Sequence, residues 1–174
     1  MPARSDDGST PKKHPTTVER ASDRELVVTR WIAGPPHLVF EAWTRPELFQ
    51  RWWVPKSLGL VLLRCDLDVR VGGKYRLEFR FGDAESMAFF GTYLEVVAGS
   101  RLSWTNEEQG EAGQVTTVTF TERDGGTLVT MCELFPTKEA LEAARASGAY
   151  DGLAETFDQL EELVASGNGR PRSG

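Results

Sequence analysis

The sequence predicts an α+β fold, with one antiparallel sheet packed against helices, and three observations carry that reading. Apolar and polar residues alternate with a period of two through much of the stretch from Leu58 to Glu133. A proline-punctuated block rich in Trp and Phe separates that stretch from an earlier strand-like run. After Pro136 the apolar spacing changes to three and four, the spacing of one helix face.

Residues 1–22 are rich in Ser, Thr, Pro, Lys and Asp, and they read as a disordered tail because they offer too little apolar burial to offset ordering entropy. Residues 167–174 read as a second disordered tail, which leaves residues 23–166 as one folded domain. Glu25 to Ala33 is the first strand, with Leu26, Val28 and Ile32 on one phase and Val27, Thr29 and Trp31 on the other. Gly34-Pro35-Pro36 ends it, since proline cannot donate to a ladder, and Pro36 opens a helix at a position where no donor is needed. Two short helices follow, Leu38 to Trp43 and, after Pro46, Glu47 to Trp53. Their aromatic side chains need a sheet to cover or a cavity to line.

Leu58 to Val69 is the next strand, its alternation broken by a bulge, and Gly72-Gly73 turns into the cleanly alternating Lys74–Phe81. Met87–Val97, Arg101–Thr105, Gln114–Glu122 and Thr127–Glu133 complete a six-strand meander, with Gly91 as a candidate bulge and Asp124-Gly125-Gly126 as a hairpin signal. Thr137 is suited to cap a helix with Glu139 in its first turn. Gly148 interrupts or kinks that helix, and Tyr150, Leu153, Phe157, Leu160 and Val164 form one stripe facing the sheet. The opposite face, with Asp151, Glu155, Asp158, Glu161 and Glu162, reads as a solvated surface.

Composition excludes several functions. A net charge of −6 argues against nucleic acid, and no apolar run approaches the roughly 18 residues of a membrane span. The first residues lack the apolar core of a signal peptide, so a cytoplasmic location is expected. Cys65 and Cys132 then read as small buried hydrophobes rather than a disulfide. His14 and His37 do not cluster with other ligands, and neither a metal nor a cofactor is expected. Asp68 and Arg70 read as a local ion pair, and Gly72-Gly73 as a turn rather than a phosphate cradle.

Candidate pocket residues come from the dry phases: Phe79, Phe81, Met87, Phe89, Trp104, Phe120 and Met131 on strands, with Trp53 near one end and Tyr150, Leu153 and Phe157 on the helix stripe. Glu133 shares the phase of Val129 and Met131. It sits at a cavity mouth, has a partner such as an arginine, or reaches solvent; burial would raise its pKa and make it, with Tyr150, the candidate catalytic pair.

The order of these pieces resembles the helix-grip fold of the START/Bet v 1-like (SRPBCC) superfamily. More narrowly, the chain is similar to the bacterial family related to the C-terminal domain of the activator of Hsp90 ATPase (AHSA1-like). The marks are Arg30 with Ala33-Gly34-Pro35, then Val39 to Thr44, Pro46-Glu47-Leu48, Trp52-Trp53-Val54-Pro55, and Asp68 to Arg76. Gly91-Thr92-Tyr93, Arg101 to Trp104, Ser147 to Gly152 and Phe157 to Leu160 close the match. One departure is that Gly148-Ala149-Tyr150 and Gly152-Leu153 stand where many members begin the last helix with a Gly-Trp pair.

The resemblance implies a curved antiparallel sheet with two short helices after its first strand, wrapped around a long C-terminal helix, with an apolar cavity between sheet and helix. The function expected is binding of a small hydrophobic or aromatic molecule, without a built-in catalytic set. A pocket enzyme of the cyclase or hydrolase kind is one alternative, and a chaperone-associated role is another. The activators carry a further N-terminal domain that this sequence does not show, so a chaperone partner is not expected; a homodimer is left open.

Overall fold

The computed structural model describes residues 14–107, 113–148 and 150–167. These form an eight-stranded antiparallel sheet with four α-helices. The strands are β1 (Thr16–Ser22), β2 (Glu25–Ile32), β3 (Leu60–Leu67), β4 (Lys74–Phe81), β5 (Met87–Val97), β6 (Arg101–Asn106), β7 (Gln114–Arg123) and β8 (Gly126–Leu134). Their order across the sheet is β1-β2-β8-β7-β6-β5-β4-β3. The six-strand meander is therefore present, and β2 closes onto its last strand.

Local chemistry explains most boundaries. Helix α1 (Pro36–Thr44) and helix α2 (Pro46–Phe49) each begin with proline at the first position, where the missing N–H costs nothing. Asp124 and Gly125 both have positive φ, 50° and 79°, the geometry of a type I′ turn between β7 and β8. Helix α3 (Lys138–Ala146) is capped by Thr137, whose side chain accepts from the Ala140 N–H. The expected bulge in β3 lies between Leu62 and Arg64.

Several expectations change. Thr16–Ser22 belongs to an ordered edge strand rather than a tail. Its side chains are mostly exposed, so it carries no apolar pattern; ladder hydrogen bonds to β2 hold it instead. Apart from His14, Pro15 and Gly167, the rest of the two expected tails falls on residues outside those described. Of the two readings of Gly148, interruption holds rather than a kink, and it leaves two helices, α3 and α4 (Leu153–Ala165). Gly148, at φ 79°, ends α3 in a left-handed conformation, and Tyr150 lies in the connecting turn. Gly91 is not a bulge, since β4 and β5 stay in register across it. A Cβ there would lie 1.9 Å from the Thr105 carbonyl oxygen, so close strand approach requires glycine. The shift in β5 comes between Tyr93 and Glu95.

The acidic face of α4 is not simply solvated. Arg30 stands on the same phase of β2 as Leu26, Val28 and Ile32, and it is 1% exposed. Its guanidinium donates to Asp158 Oδ1 at 2.8 Å and Glu161 Oε1 at 2.9 Å on α4, and to Thr16 Oγ1 at 3.1 Å on β1. Glu161 also accepts from the Ala33 N–H at 2.8 Å and pairs with His14, whose ring packs edge-on to Trp31 at 4.5 Å. Partial burial pushes the Glu161 carboxyl up, but the Ala33, Arg30 and His14 bonds outweigh it and leave the pKa below its ordinary value. Glu155 accepts from the Ser57 N–H at 2.9 Å and from the Ser57 hydroxyl.

Helix α4 thus lies on the sheet by its buried face, Phe157, Leu160, Leu163 and Val164. Each such side chain contributes about 2 kcal/mol by leaving water. Gln159, also buried, accepts from the Lys56 N–H and donates to the Trp52 and Val54 carbonyls, all at 2.9 Å. Among the described residues, no helix is long and apolar enough to cross a membrane.

Replacing Arg30 with Ala removes the guanidinium that two partly buried carboxylates share and should cost about 3 kcal/mol, read as a lower urea midpoint at unchanged slope. Arg70→Ala serves as the control, because the Arg70–Asp68 pair is exposed on both sides and is worth at most about 1 kcal/mol. Gly91→Ala forces β5 from the Thr105 carbonyl; it should lower the melting temperature more than Gly99→Ala, where the added Cβ meets nothing within 4 Å and the cost is only that of a side chain at φ 71°. Equal melting temperatures for the two glycine variants would contradict the close-approach argument.

Candidate functional site

A cavity of about 500 Å³ lies between the sheet and the helices, within the range of small-molecule pockets. Each wall follows from an element already placed. One end is built from Trp43 of α1, Phe49 of α2, and Trp52 and Trp53 in the turn after it. These rings pack mainly edge to face, with centroids 4.9–5.9 Å apart for the Trp43 contacts to Trp52 and Trp53. The Trp52 indole N–H donates to the Ala42 carbonyl at 2.9 Å. Trp43 Nε1 is, among the described residues, the buried side-chain polar atom without a hydrogen-bond partner.

The floor comes from the inner phases of β4 to β8. Phe79 of β4, Met87 and Phe89 of β5, Trp104 of β6 and Met131 of β8 all line it, as does Trp53 at the aromatic end. Leu153 and Phe157 of α4 supply the roof, and Tyr150 enters from the turn before α4. Two expected lining residues do not belong. Phe120 is 4% exposed and sits in the core beneath α1, edge-on to Phe40 at 5.6 Å and Trp43 at 5.9 Å. Phe81 is 57% exposed, because β5 begins at Met87, opposite Phe79, and leaves the last residues of β4 uncovered on that side.

The polar groups gather at the β6–β8 side. Register sets Thr116 across from Glu133, and Asn106 across from Gln114. Tyr75 donates to the Thr105 carbonyl at 2.7 Å, and Asn106 Nδ2 donates to Thr116 Oγ1 at 3.0 Å. Tyr150 donates its hydroxyl to Glu133, and the Gln114 side chain also bonds that carboxyl. The partner of Glu133 is thus a tyrosine and an amide, not an arginine. Burial raises the Glu133 pKa above the usual carboxyl value despite the lowering by Tyr150 and Gln114. Burial, then the Glu133 charge and hydrogen bond, push the Tyr150 phenol well above its ordinary range.

Sequence reasoning missed Tyr75, Asn106, Gln114 and Thr116. Tyr75 shares the phase of Leu77 and Phe79, and that signal was legible; the other three are polar and stand out only once the strands are paired. Burial pushes the Cys65 thiol up to about 11, so at neutral pH it is no thiolate nucleophile. Among the described residues no three His, Cys, Asp or Glu side chains converge as a metal site requires.

With this geometry in place, similarity becomes informative. A family model for activator of Hsp90 ATPase homolog 1-like proteins matches residues 33–165. Among solved structures, a Rhodobacter sphaeroides protein superposes with a TM-score of 0.81 at 21% identity, covering 87% of this chain and 99% of its own. A Nitrosomonas europaea protein gives 0.77 at 26% identity, covering 87% of this chain and 100% of its own. An AHSA1-like protein from Aeromonas hydrophila gives 0.65 at 21%, covering 86% and 98%. No curated protein is similar enough in sequence to count as a match.

The Glu133 carboxyl holds its proton more tightly folded than unfolded. Its contribution is therefore fully present below the ordinary glutamate range and is lost as pH rises through the raised folded value. Urea unfolding across that window should show wild type losing stability with rising pH, relative to Glu133→Gln. A constant difference between the two proteins would contradict the burial argument. The matched residues, the eight-stranded curved sheet and the helix laid across it place the chain in the family of activator of Hsp90 ATPase homolog 1-like proteins, with a helix-grip fold.

Proposed function

We propose that this protein binds a small hydrophobic or aromatic molecule between the sheet and α4. The observation that supports this reading is the cavity itself: about 500 Å³, walled mainly by aromatic and aliphatic side chains, with a few convergent polar groups at one side. A core would not ordinarily leave such a volume unfilled, because interiors pack to crystal-like density and empty space is destabilising.

A second reading is favoured by one contact, the Tyr150–Glu133 hydrogen bond inside the cavity. A carboxyl with a raised pKa beside a phenol suits proton transfer to or from a bound substrate, which is an acid–base activity of the cyclase or hydrolase kind. An NMR titration in which Glu133 behaves as an ordinary exposed glutamate would remove this reading.

Native mass spectrometry and NMR titration with a panel of lipids, flavonoids and polyketides tests the binding function. At least one class is expected to bind, with shifts at Trp53, Met131 and Phe157. Leu153→Trp, which adds volume to the roof, should abolish those shifts while leaving the protein folded. No binding across the panel, or shifts that survive in Leu153→Trp, would count against the site.

A further inference from the structure

The cavity wall is chemically uneven, and that unevenness narrows the ligand class. This inference rests on the binding function proposed above. No lysine, arginine or histidine is among the described residues lining the cavity, and its one carboxyl is Glu133. An anionic ligand would therefore be buried beside a carboxyl group with no cation to offset its own charge, in surroundings where burying an unpaired charge is costly. Gln114 and Thr116 stand on β7, next to the strand of Glu133, and Asn106 stands on β6 opposite Gln114.

Leu58, Met87 and Phe89 both line the cavity and are exposed, which marks where it meets solvent. Met87 and Phe89 lie on β5, three strands across the sheet from Glu133 on β8. Across the sheet this is on the order of 15 Å at about 4.8 Å per strand, and Phe89 lies further along β5 than Tyr93, the residue in register with Glu133, so there is length for a fused-ring or short-chain body. Beyond Asn106, Gln114 and Thr116 the lining toward Met87 and Phe89 is mainly aromatic and aliphatic. Glu133 already receives bonds from Tyr150 and Gln114, but a carboxyl group has about four lone-pair directions, so it retains capacity for a further donor.

We propose that the cavity selects an uncharged, mostly apolar molecule bearing a hydroxyl group, which donates to Glu133 while the apolar body runs beneath α4 toward Met87 and Phe89. The polar pole sets orientation as well as preference. A hydroxyl reaching it makes a hydrogen bond to a charged or strongly polar acceptor, whereas a hydrocarbon of the same shape leaves that acceptor capacity unmet.

Three probes of one ring system separate the terms: naphthalene, 2-naphthol and 2-naphthoate. Trp43, Trp52, Trp53 and Trp104 line the cavity and Trp31 does not, so indole N–H signals report occupancy with an internal control. We expect 2-naphthol to bind roughly tenfold more tightly than naphthalene, and 2-naphthoate to cause no shift over the same concentrations. In Glu133→Gln, which removes the ionisable carboxyl and keeps the shape, the 2-naphthol advantage should shrink and 2-naphthoate should begin to bind. Equal affinities of naphthalene and 2-naphthol in the wild type overturn the hydroxyl preference and leave the binding function standing. Tight binding of 2-naphthoate, or selectivity unchanged in Glu133→Gln, overturns the role of Glu133. No shift with any probe overturns both the preference and the binding site.

Discussion

The fold depends on a charge held where charges do not ordinarily go. Arg30 is buried on the inner face of β2, and desolvating a guanidinium costs several kcal/mol unless its donors are matched. Asp158 and Glu161 supply that match from α4, and Thr16 adds a neutral acceptor from β1. The requirement runs both ways, because the carboxylates are themselves only partly exposed. Apolar burial can press α4 against the sheet in many rotations, but only a narrow range meets these bonds. The ion cluster therefore sets the azimuth of α4 more than it adds to net stability.

With that azimuth set, the rest of the roof follows. Gln159, one residue after Asp158, meets the backbone from Trp52 to Lys56. It supplies polar partners to a segment that the proline-bounded helices leave without a ladder. Glu155 does the same for Ser57. At the other end of α4, a Cβ on Gly34 would lie 2.2 Å from Val164 Cγ1, so glycine at the β2–α1 corner lets the helix close down. The cavity is the space that these constraints prevent α4 and the aromatic turn from filling. The contacts that hold its walls in place lie outside it, between α4, β2 and the segment from Trp52 to Ser57.

Much of this architecture was legible along the chain. The meander was, because each strand has a wet and a dry face and Asp124-Gly125-Gly126 admits the tight turn found there. The two short helices were as well, since Pro36 and Pro46 are tolerated only at a helix start. Thr16–Ser22 was not, because an edge strand held by backbone hydrogen bonds and exposed on both faces leaves no period in its side chains. Among the expected pocket residues, phase agrees with the cavity wall at Phe79, Met87, Phe89 and Met131. It failed at Phe81 and Phe120, which are in phase but beyond the neighbouring strand in one case and beneath α1 in the other. Phase says which face a side chain takes, not what covers that face.

What the sequence by itself determined is the alternation of strands, the turn positions, the amphipathic last helix and, through the order of its marks, the family. Period and backbone sterics act over a few residues, so they can be read locally. Only the tertiary structure decided that Arg30 is a buried anchor, that the acidic face of α4 is partly bonded, and that Tyr150, from a turn, meets Glu133, from a strand. Those residues are separated by 128, 131 and 17 positions in the pairs that matter. Electrostatic matching over such separations depends on where helix and sheet come to rest, and no local pattern encodes it.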